Sequence, residues 1–352
     1  MKVALIAFSV AQGAAAQYIE EFVTALSSRV EVHLFVPEYY SGGTGRGVFH
    51  PINTGTRGLN ARLRLLNPWQ AWRQWRRVKE LSPDVVHILF GEGYPWSVLW
   101  SYWAKLDNIP LVATIHDPEP HPGLLLETLN TYVCRLTMLQ AARVHIHSKI
   151  LEKLIIQQGV EEKKISVIPH GSSAPRFLRY YKESITKEPR VLFFGRLVAY
   201  KGIEVLVDAA PLLEGLQVTI AGPGKLPTGV LEKIHARPEI FELHNRYITD
   251  SEVTQLFQRS AVCVMPYHQA SQSFLPLISA ALGVPVVATA VGSFVEVIPQ
   301  LNGLLVPPGD PYALAKAMKT AVGLTPHYPK ELEFDNLIEK FLLLYKDMLQ
   351  DI

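Results

Sequence analysis

Short apolar runs recur along this chain in two separate series, each spaced by amphipathic or loop-like stretches. The first series occupies residues 3–8, 30–36, 85–89, 111–115, 144–147 and 165–168. The second begins after a polar stretch at 182–188 and occupies 191–194, 217–221, 262–265, 286–288 and 303–306. Apolar runs of strand length alternating with helical patterns predict βα units, hence parallel sheets covered by helices on both faces. With 352 residues, the chain is longer than a single core can usefully grow. The fold class predicted is therefore α/β, with two Rossmann-like, doubly wound domains at 1–178 and 186–330 and a linker near 175–189. The amphipathic stretch 332–352 predicts a last helix that returns to the first domain. Doubly wound sheets bind ligands beyond the carboxyl ends of their strands, and two of them facing each other enclose a cleft. Functional residues are therefore sought at strand ends.

Composition narrows the classes. Hydrophobic residues make up 48% and charged residues 19% of the chain, which excludes a disordered protein. A net charge of +2 argues against bulk binding of nucleic acid, and no nucleic-acid module is recognisable. The apolar amino terminus reads as a strand without a cleavage site, and no stretch offers eighteen uninterrupted apolar residues. The expected location is cytoplasmic, with any membrane contact peripheral on the inner face. Cys134 and Cys263 stand far apart in apolar surroundings and read as buried, reduced thiols.

The phrase VLFFGRLVAYKG (191–202) combines a buried strand, a turn at Gly195, then Arg196 and Lys201 before Gly202 and a helix. Two cations at a helix entrance form a receptor for a diphosphate. A guanidinium offers a bidentate fork and an ammonium a point charge, each charge-assisted bond being worth roughly 1.5–3 kcal/mol.

This phrase is followed in order by LQVTIAGPG (216–224), SEVTQLFQRSAVCVMPY (251–267), GVPVVATAVGSFVEVI (283–298) and NGLLVPPGDPYALAKAM (302–318). The series resembles the carboxyl-terminal domain of the family 4 retaining glycosyltransferases, of GT-B fold (glycosyl transferases group 1). The amino-terminal half is similar more loosely, through MKVALIAFSVAQG, SPDVVHI (82–88), PLVATIHD (110–117) and KISVIPHG (164–171). The resemblance implies that Arg196 and Lys201 hold the donor diphosphate and stabilise the leaving group without a metal. It implies that Glu296 lies near the donor in a glycine-rich loop, that His116 lines the donor sugar and reaction centre, and that Gly13 belongs to a first loop closing over both substrates. Physically these roles fit a departing nucleoside diphosphate, whose developing charge preorganised cations stabilise.

One departure stands out. Family members carry two glutamates eight apart before the phrase GxPVVAT, but here the text reads YHQASQSFLPLISAALGVPVVAT, with neither acid. Ser271, Gln272 and Ser273 form an S-Q-S loop in place of the first acid and are expected to contact the donor through neutral hydrogen bonds, while Ser279 follows in the same stretch. Among other candidates, Asp117 reads as a turn cap. His87, His145 and His147 read as structural, and Glu92 and Glu119 as loop carboxylates within reach of acceptor hydroxyls. Trp96, Trp100 and Trp103 read as core, Trp96 being also a candidate for stacking on sugar.

Between residues 57 and 79 lie six arginines (57, 62, 64, 73, 76 and 77) and Lys79, with no acid, interleaved with Trp69, Trp72 and Trp75. A basic amphipathic segment with tryptophan suits an anionic lipid surface, and Trp69, Trp72, Arg73, Arg76 and Arg77 are the residues expected to meet membrane or acceptor. The expected function is transfer of a hexose-type sugar from a UDP- or GDP-linked nucleotide sugar to a glycan or lipid-linked acceptor, with retention of configuration. The nucleotide sugar is a co-substrate, and no cofactor is expected. The alternatives are a noncatalytic subunit that binds a partner glycosyltransferase or glycan, and a sugar-nucleotide epimerase.

Overall fold

The computed structural model describes residues 1–8, 13–54, 66–91, 93–118, 127–270 and 273–350. It separates into two compact units, Met1–Gly171 with Phe334–Ile352, and Ser172–Glu333. Residues 172–178 are thus counted with the second unit.

The first unit contains β1 (Lys2–Ala7), α1 (Ala14–Ser27), β2 (Glu31–Pro37), β3 (Val48–Ile52), α2 (Pro68–Glu80), β4 (Val85–Phe90), α3 (Pro95–Leu106), β5 (Leu111–Ile115), α4 (Glu127–Gln140), β6 (Arg143–Ile146), α5 (Glu152–Gln157) and β7 (Ile165–Val167). Its seven strands pair in parallel in the order β3-β2-β1-β4-β5-β6-β7. Val3 faces Val32 on one side and Val85 on the other, so β1 is buried on both edges and both faces. That burial explains why the strand reads as a continuous apolar run. Phe8, Trp96 and Trp100 form the aromatic centre of this core, with Phe8 meeting the two indoles edge-on at 6.3 and 5.0 Å. Trp96 and Trp100 are fully buried, which removes Trp96 from any role on sugar.

The second unit contains α6 (Ala174–Leu178), β8 (Arg190–Phe194), α7 (Ile203–Ala209), β9 (Gln217–Ala221), α8 (Thr228–His235), β10 (Phe241–His244), α9 (Asp250–Arg259), β11 (Val262–Met265), α10 (Leu275–Ala281), β12 (Val286–Thr289), α11 (Phe294–Gln300), β13 (Leu304–Val306) and α12 (Pro311–Ala321). Its six parallel strands run in the order β10-β9-β8-β11-β12-β13. Its helices start on strong local signals: Thr249 and Glu252 close a reciprocal capping box on α9, and Asp310 caps α12 ahead of Pro311. An ion pair of 2.6 Å between Arg176 and Asp250 fixes α6 to the first residue of α9.

The chain ends in α13 (Phe334–Gln350), which belongs to the first unit and packs on α1 through Phe22 and Phe341, 4.8 Å apart and edge-on. Both cysteines are buried thiols, and burial pushes the Cys263 thiol up to about 12. Among the described residues no helix is long and apolar enough to cross a membrane.

Candidate functional site

In the second unit the strand order reverses between β8 and β11, the point at which a doubly wound sheet opens a crevice beyond its carboxyl ends. Gly195 and Arg196 follow β8 there, and Tyr267 follows β11 two residues beyond Met265. The tail of β8 runs against residues 222–225: Gly195 N–H donates to the Ala221 carbonyl, and Leu197 N–H to that of Pro223. Gly222 has φ 137°, and a Cβ on it would stand 1.9 Å from the Gly195 carbonyl oxygen, so no larger residue fits. Gly202, at φ 63°, opens α7 under the same constraint, a Cβ there meeting the Pro266 carbonyl oxygen at 1.9 Å. The two glycines bring backbone to backbone and so set where the intervening cations stand.

Arg196 is exposed, and its guanidinium donates to the Tyr200 hydroxyl at 3.2 Å. Lys201 is half-buried, and its ammonium lies 3.6 Å from the centre of the Tyr267 ring and 5.2 Å from that of Tyr200. Burial, and then the positive charge of Arg196, push the Lys201 amine down to about 7. A cation so depressed and so close to another cation is poised for an anionic ligand, which would relieve both penalties. Next to this turn, His268 N–H donates to the Tyr200 carbonyl, and the His268 ring pairs with Glu204 of α7.

Glu296 lies in the first turn of α11 and is half-buried. Phe294 on the same helix packs on Tyr267 at 5.3 Å. One aromatic ring therefore touches both Lys201 and the helix that carries Glu296. Ser273 is half-buried just before α10, whereas Ser271 and Gln272 lie outside the described residues. Ser279 is fully buried and donates to the Val284 carbonyl at 2.8 Å, so it serves the turn into β12. Nothing in the sequence reading assigned a role to Tyr267, although it ends the phrase VCVMPY at the tip of a predicted strand.

In the first unit, His116 and Gly13 both stand at the carboxyl side of the sheet. Gly13 caps α1 at φ 84° and accepts from Gln17 N–H. His116 follows β5, and its Nε2 lies 2.9 Å from the Leu89 carbonyl. That contact selects the tautomer with the proton on Nε2. The ring stacks on Phe90 at 4.1 Å and lies edge-on to Tyr18 of α1 at 5.7 Å. His87 and His145 are interior: His87 joins the Tyr345 and Thr114 hydroxyls, and His145 joins Thr114 and the Ile168 carbonyl. Glu92 and Glu119 lie outside the described residues.

The basic segment is described from residue 66 onward. Asn67 accepts from Trp69 and Gln70 N–H, Pro68 follows, and α2 buries Ala71, Trp75 and Val78 on one face. Trp69 is 58% exposed and stacks on the half-buried Trp72 at 4.9 Å. Arg73 lies over Trp69 at 5.8 Å and Arg76 over Trp72 at 5.2 Å. Arg77 is turned away from that ladder, donating to the Pro51 carbonyl and to Gln74, and so braces α2 against β3. Beside the ladder lies a pocket of about 500 Å³ lined by Trp72, Arg76, Lys79, Trp103, Leu106 and Asp107, among others.

Comparison with known proteins follows the same division. A family model described as Glycosyltransferase Family 4 matches residues 15–173, and one described as Glycosyl transferases group 1 matches 188–323. Curated relatives include a glycogen synthase of Mycobacterium tuberculosis, 26% identical over 71% of this chain and 61% of that protein. They also include a D-inositol 3-phosphate glycosyltransferase of Jonesia denitrificans, 26% identical over 69% of this chain and 64% of that protein. The chain thus spans a little over three fifths of the length of these relatives. Among solved structures, Anabaena HepE in complex with UDP-glucose superposes with a TM-score of 0.68 at 16% identity, over 100% of this chain and 98% of that one. At that identity the likeness concerns the fold, and the two parallel α/β sheets are those of GT-B proteins.

Proposed function

Because the chain belongs to the family 4 glycosyltransferases (glycosyl transferases group 1) and has the GT-B fold, we propose that it transfers a hexose from a nucleotide sugar to a glycan or lipid-linked acceptor, with retention of configuration. The observation that carries this reading is the pair Arg196 and Lys201 at the switch point of the second sheet, one exposed and the other half-buried on an aromatic ring. The proposed donor is a UDP- or GDP-linked sugar; curated relatives include a glycogen synthase and an inositol-phosphate glycosyltransferase, and HepE, solved with UDP-glucose, supports the UDP-linked form.

In the proposed reaction the bond between the anomeric carbon and the diphosphate oxygen breaks, and an acceptor oxygen bonds to that carbon from the same face. The acceptor's proton passes to the leaving diphosphate, so no separate base is required. Arg196 and Lys201 stabilise the charge that develops on the leaving group, the role given elsewhere to a divalent cation, and turnover is expected to survive chelation. His116, fixed by the Leu89 carbonyl, lines the sugar; Gly13 lies in the closing loop; Glu296 and the 271–273 loop contact the donor.

The test is a thermal-shift and hydrolysis screen against UDP-, GDP- and ADP-sugars, with the Arg196→Ala/Lys201→Ala double variant as control. A selective shift with slow hydrolysis, lost in the double variant, supports the reading; turnover unchanged in that variant sinks the site assignment. The second reading, a noncatalytic subunit, draws on one observation: Ser279 is fully buried, bonded to the Val284 carbonyl and beside Cys263, and does not replace the missing acid. Absence of binding to every donor would favour it.

The Trp69–Trp72 ladder with Arg73 and Arg76 is proposed as a peripheral contact with an anionic membrane, on the inner face of which a lipid-linked acceptor would be met.

A further inference from the structure

We propose that Tyr267 is a positioning residue of the diphosphate site: the face of its buried ring holds the Lys201 ammonium in place, and its edges fix the Gly195 turn and α11 around the same point. This rests on the reading of Arg196 and Lys201 as the donor-diphosphate cations.

Four contacts carry the inference. Lys201 Nζ is 3.6 Å from the ring centre, closer than it is to Tyr200, and Tyr267 is only 1% exposed, so the ring cannot move aside into solvent. The hydroxyl end lies under the β8 turn, 4.0 Å from where a Cβ on Gly195 would stand. The other side packs on Phe294, two residues before Glu296, and the Tyr267 carbonyl accepts from Thr289 Oγ1 at 2.5 Å, which fixes the backbone at the end of β11. The ring is thus a common support for three elements that bear candidate donor-binding groups.

The physical consequence concerns the charge on Lys201. Burial and Arg196 both disfavour the ammonium, and an aromatic face beneath it is attractive to a cation. The other groups near this turn are the Tyr200 ring and the paired Glu204 and His268, and no carboxylate forms an ion pair with Lys201 among the described residues. Removing the ring while keeping an apolar wall takes away the stabilising contact and leaves the two opposing ones.

The test uses Tyr267→Phe, which keeps the ring, and Tyr267→Leu, which does not. Competitive amine labelling across pH 6–11, read peptide by peptide in the mass spectrometer, follows Lys201 without any donor present. The expected result is a Lys201 midpoint unchanged in Tyr267→Phe and at least half a pH unit lower in Tyr267→Leu. A midpoint unmoved or raised in Tyr267→Leu overturns the inference. A donor titration with UDP and GDP then separates the two levels of the argument. Tenfold or greater weakening in Tyr267→Leu, rescued in Tyr267→Phe and absent when Lys201 is already Met, supports positioning through Lys201. Equal weakening in the Lys201→Met background overturns it, since a structural defect would act there too. If the wild-type chain binds no nucleotide while the labelling result holds, the donor reading fails and the ring–ammonium contact stands.

Discussion

The His87 ring and the Tyr345 hydroxyl, 258 positions apart in the chain, meet at 2.6 Å in the interior of the first unit. His87 passes the contact on to Thr114 at 2.7 Å, and Thr114 to His145 at 2.9 Å. The line runs from α13 across β4, β5 and β6, so the last helix is fastened to the sheet by polar bonds as well as by Phe341. Tyr345→Phe keeps the shape and leaves a buried imidazole nitrogen without its partner, which costs roughly 1–3 kcal/mol. All six tryptophans lie in the first unit. Urea unfolding followed by tryptophan fluorescence therefore reads that unit alone, and the midpoint is expected to fall. An unchanged midpoint would show that α13 is held by its apolar face only.

The same interior makes the first unit sensitive to acid. Burial holds His87 and His147 well below the usual imidazole range, and pushes His145 down to about 3 and His170 to about 4. Below about pH 6.5 the unfolded chain binds protons that these folded histidines refuse, so stability rises with pH and is lost as pH falls. Each such group contributes a slope of at most roughly 1.4 kcal/mol per pH unit. Fluorescence-detected unfolding at pH 8, 7 and 5 is expected to show little change between the first two and a marked drop at the third. A flat profile would mean that the imidazoles are solvated.

The interior strands were readable because parallel strands buried on both faces are continuous apolar runs, and every one of them lies where such a run occurs. The two strands that the runs did not show, β3 and β10, each lie at one edge of their sheet, the opposite edges being β7 and β13. β3 and β10 are partly exposed, β3 carries Pro51, and β10 carries Glu242 and His244, so neither has an apolar run to betray it. Arg196 and Lys201 could be found from the glycine turn and from the order of phrases that follows. Tyr267 could not, because its meaning depends on Lys201, which only the β8–β11 pairing brings beside it. Arg77 was grouped with its neighbours because helical spacing alone does not reveal that its guanidinium reaches back to Pro51.

Lys201 should give the donor site a pH limit. Its free-protein amine, pushed down to about 7, must be protonated to meet a diphosphate, so kcat/KM is expected to fall as pH rises through 7 to 8. The sign for stability is opposite. The folded amine titrates below its unfolded value, so below about pH 7 its charge is a full penalty, which is relieved as pH rises toward 10. Lys201→Met is expected to abolish donor turnover and to raise the calorimetric melting temperature at pH 7, with the gain shrinking by pH 10. A lower melting temperature at pH 7 would show that Lys201 contributes to the fold and carries no stored penalty.

The aromatic ladder on α2 separates two roles that the sequence alone confounds. Trp75 is committed to the core and donates to Asp107 at 2.8 Å, whereas Trp69 is mostly exposed and carries Arg73 on its face. If the ladder meets lipid, binding needs both the ring at the interface and positive charge near the headgroups, each cation being worth about 1 kcal/mol at an anionic surface. Arg73→Glu changes the charge by two and is expected to weaken association with vesicles containing anionic lipid by roughly 10–30-fold, with no effect on neutral vesicles. Trp69→Ala is expected to weaken association with anionic vesicles as well, by removing the anchor, and to change unfolding by urea little because the side chain is mostly exposed and stacks on Trp72 at the surface. Arg77→Gln supplies the internal contrast. Its guanidinium serves Pro51 and Gln74, so it should lower stability more than it lowers vesicle binding, and the reverse order between Arg73 and Arg77 in flotation measurements would show that the exposed ladder is not the contacting face.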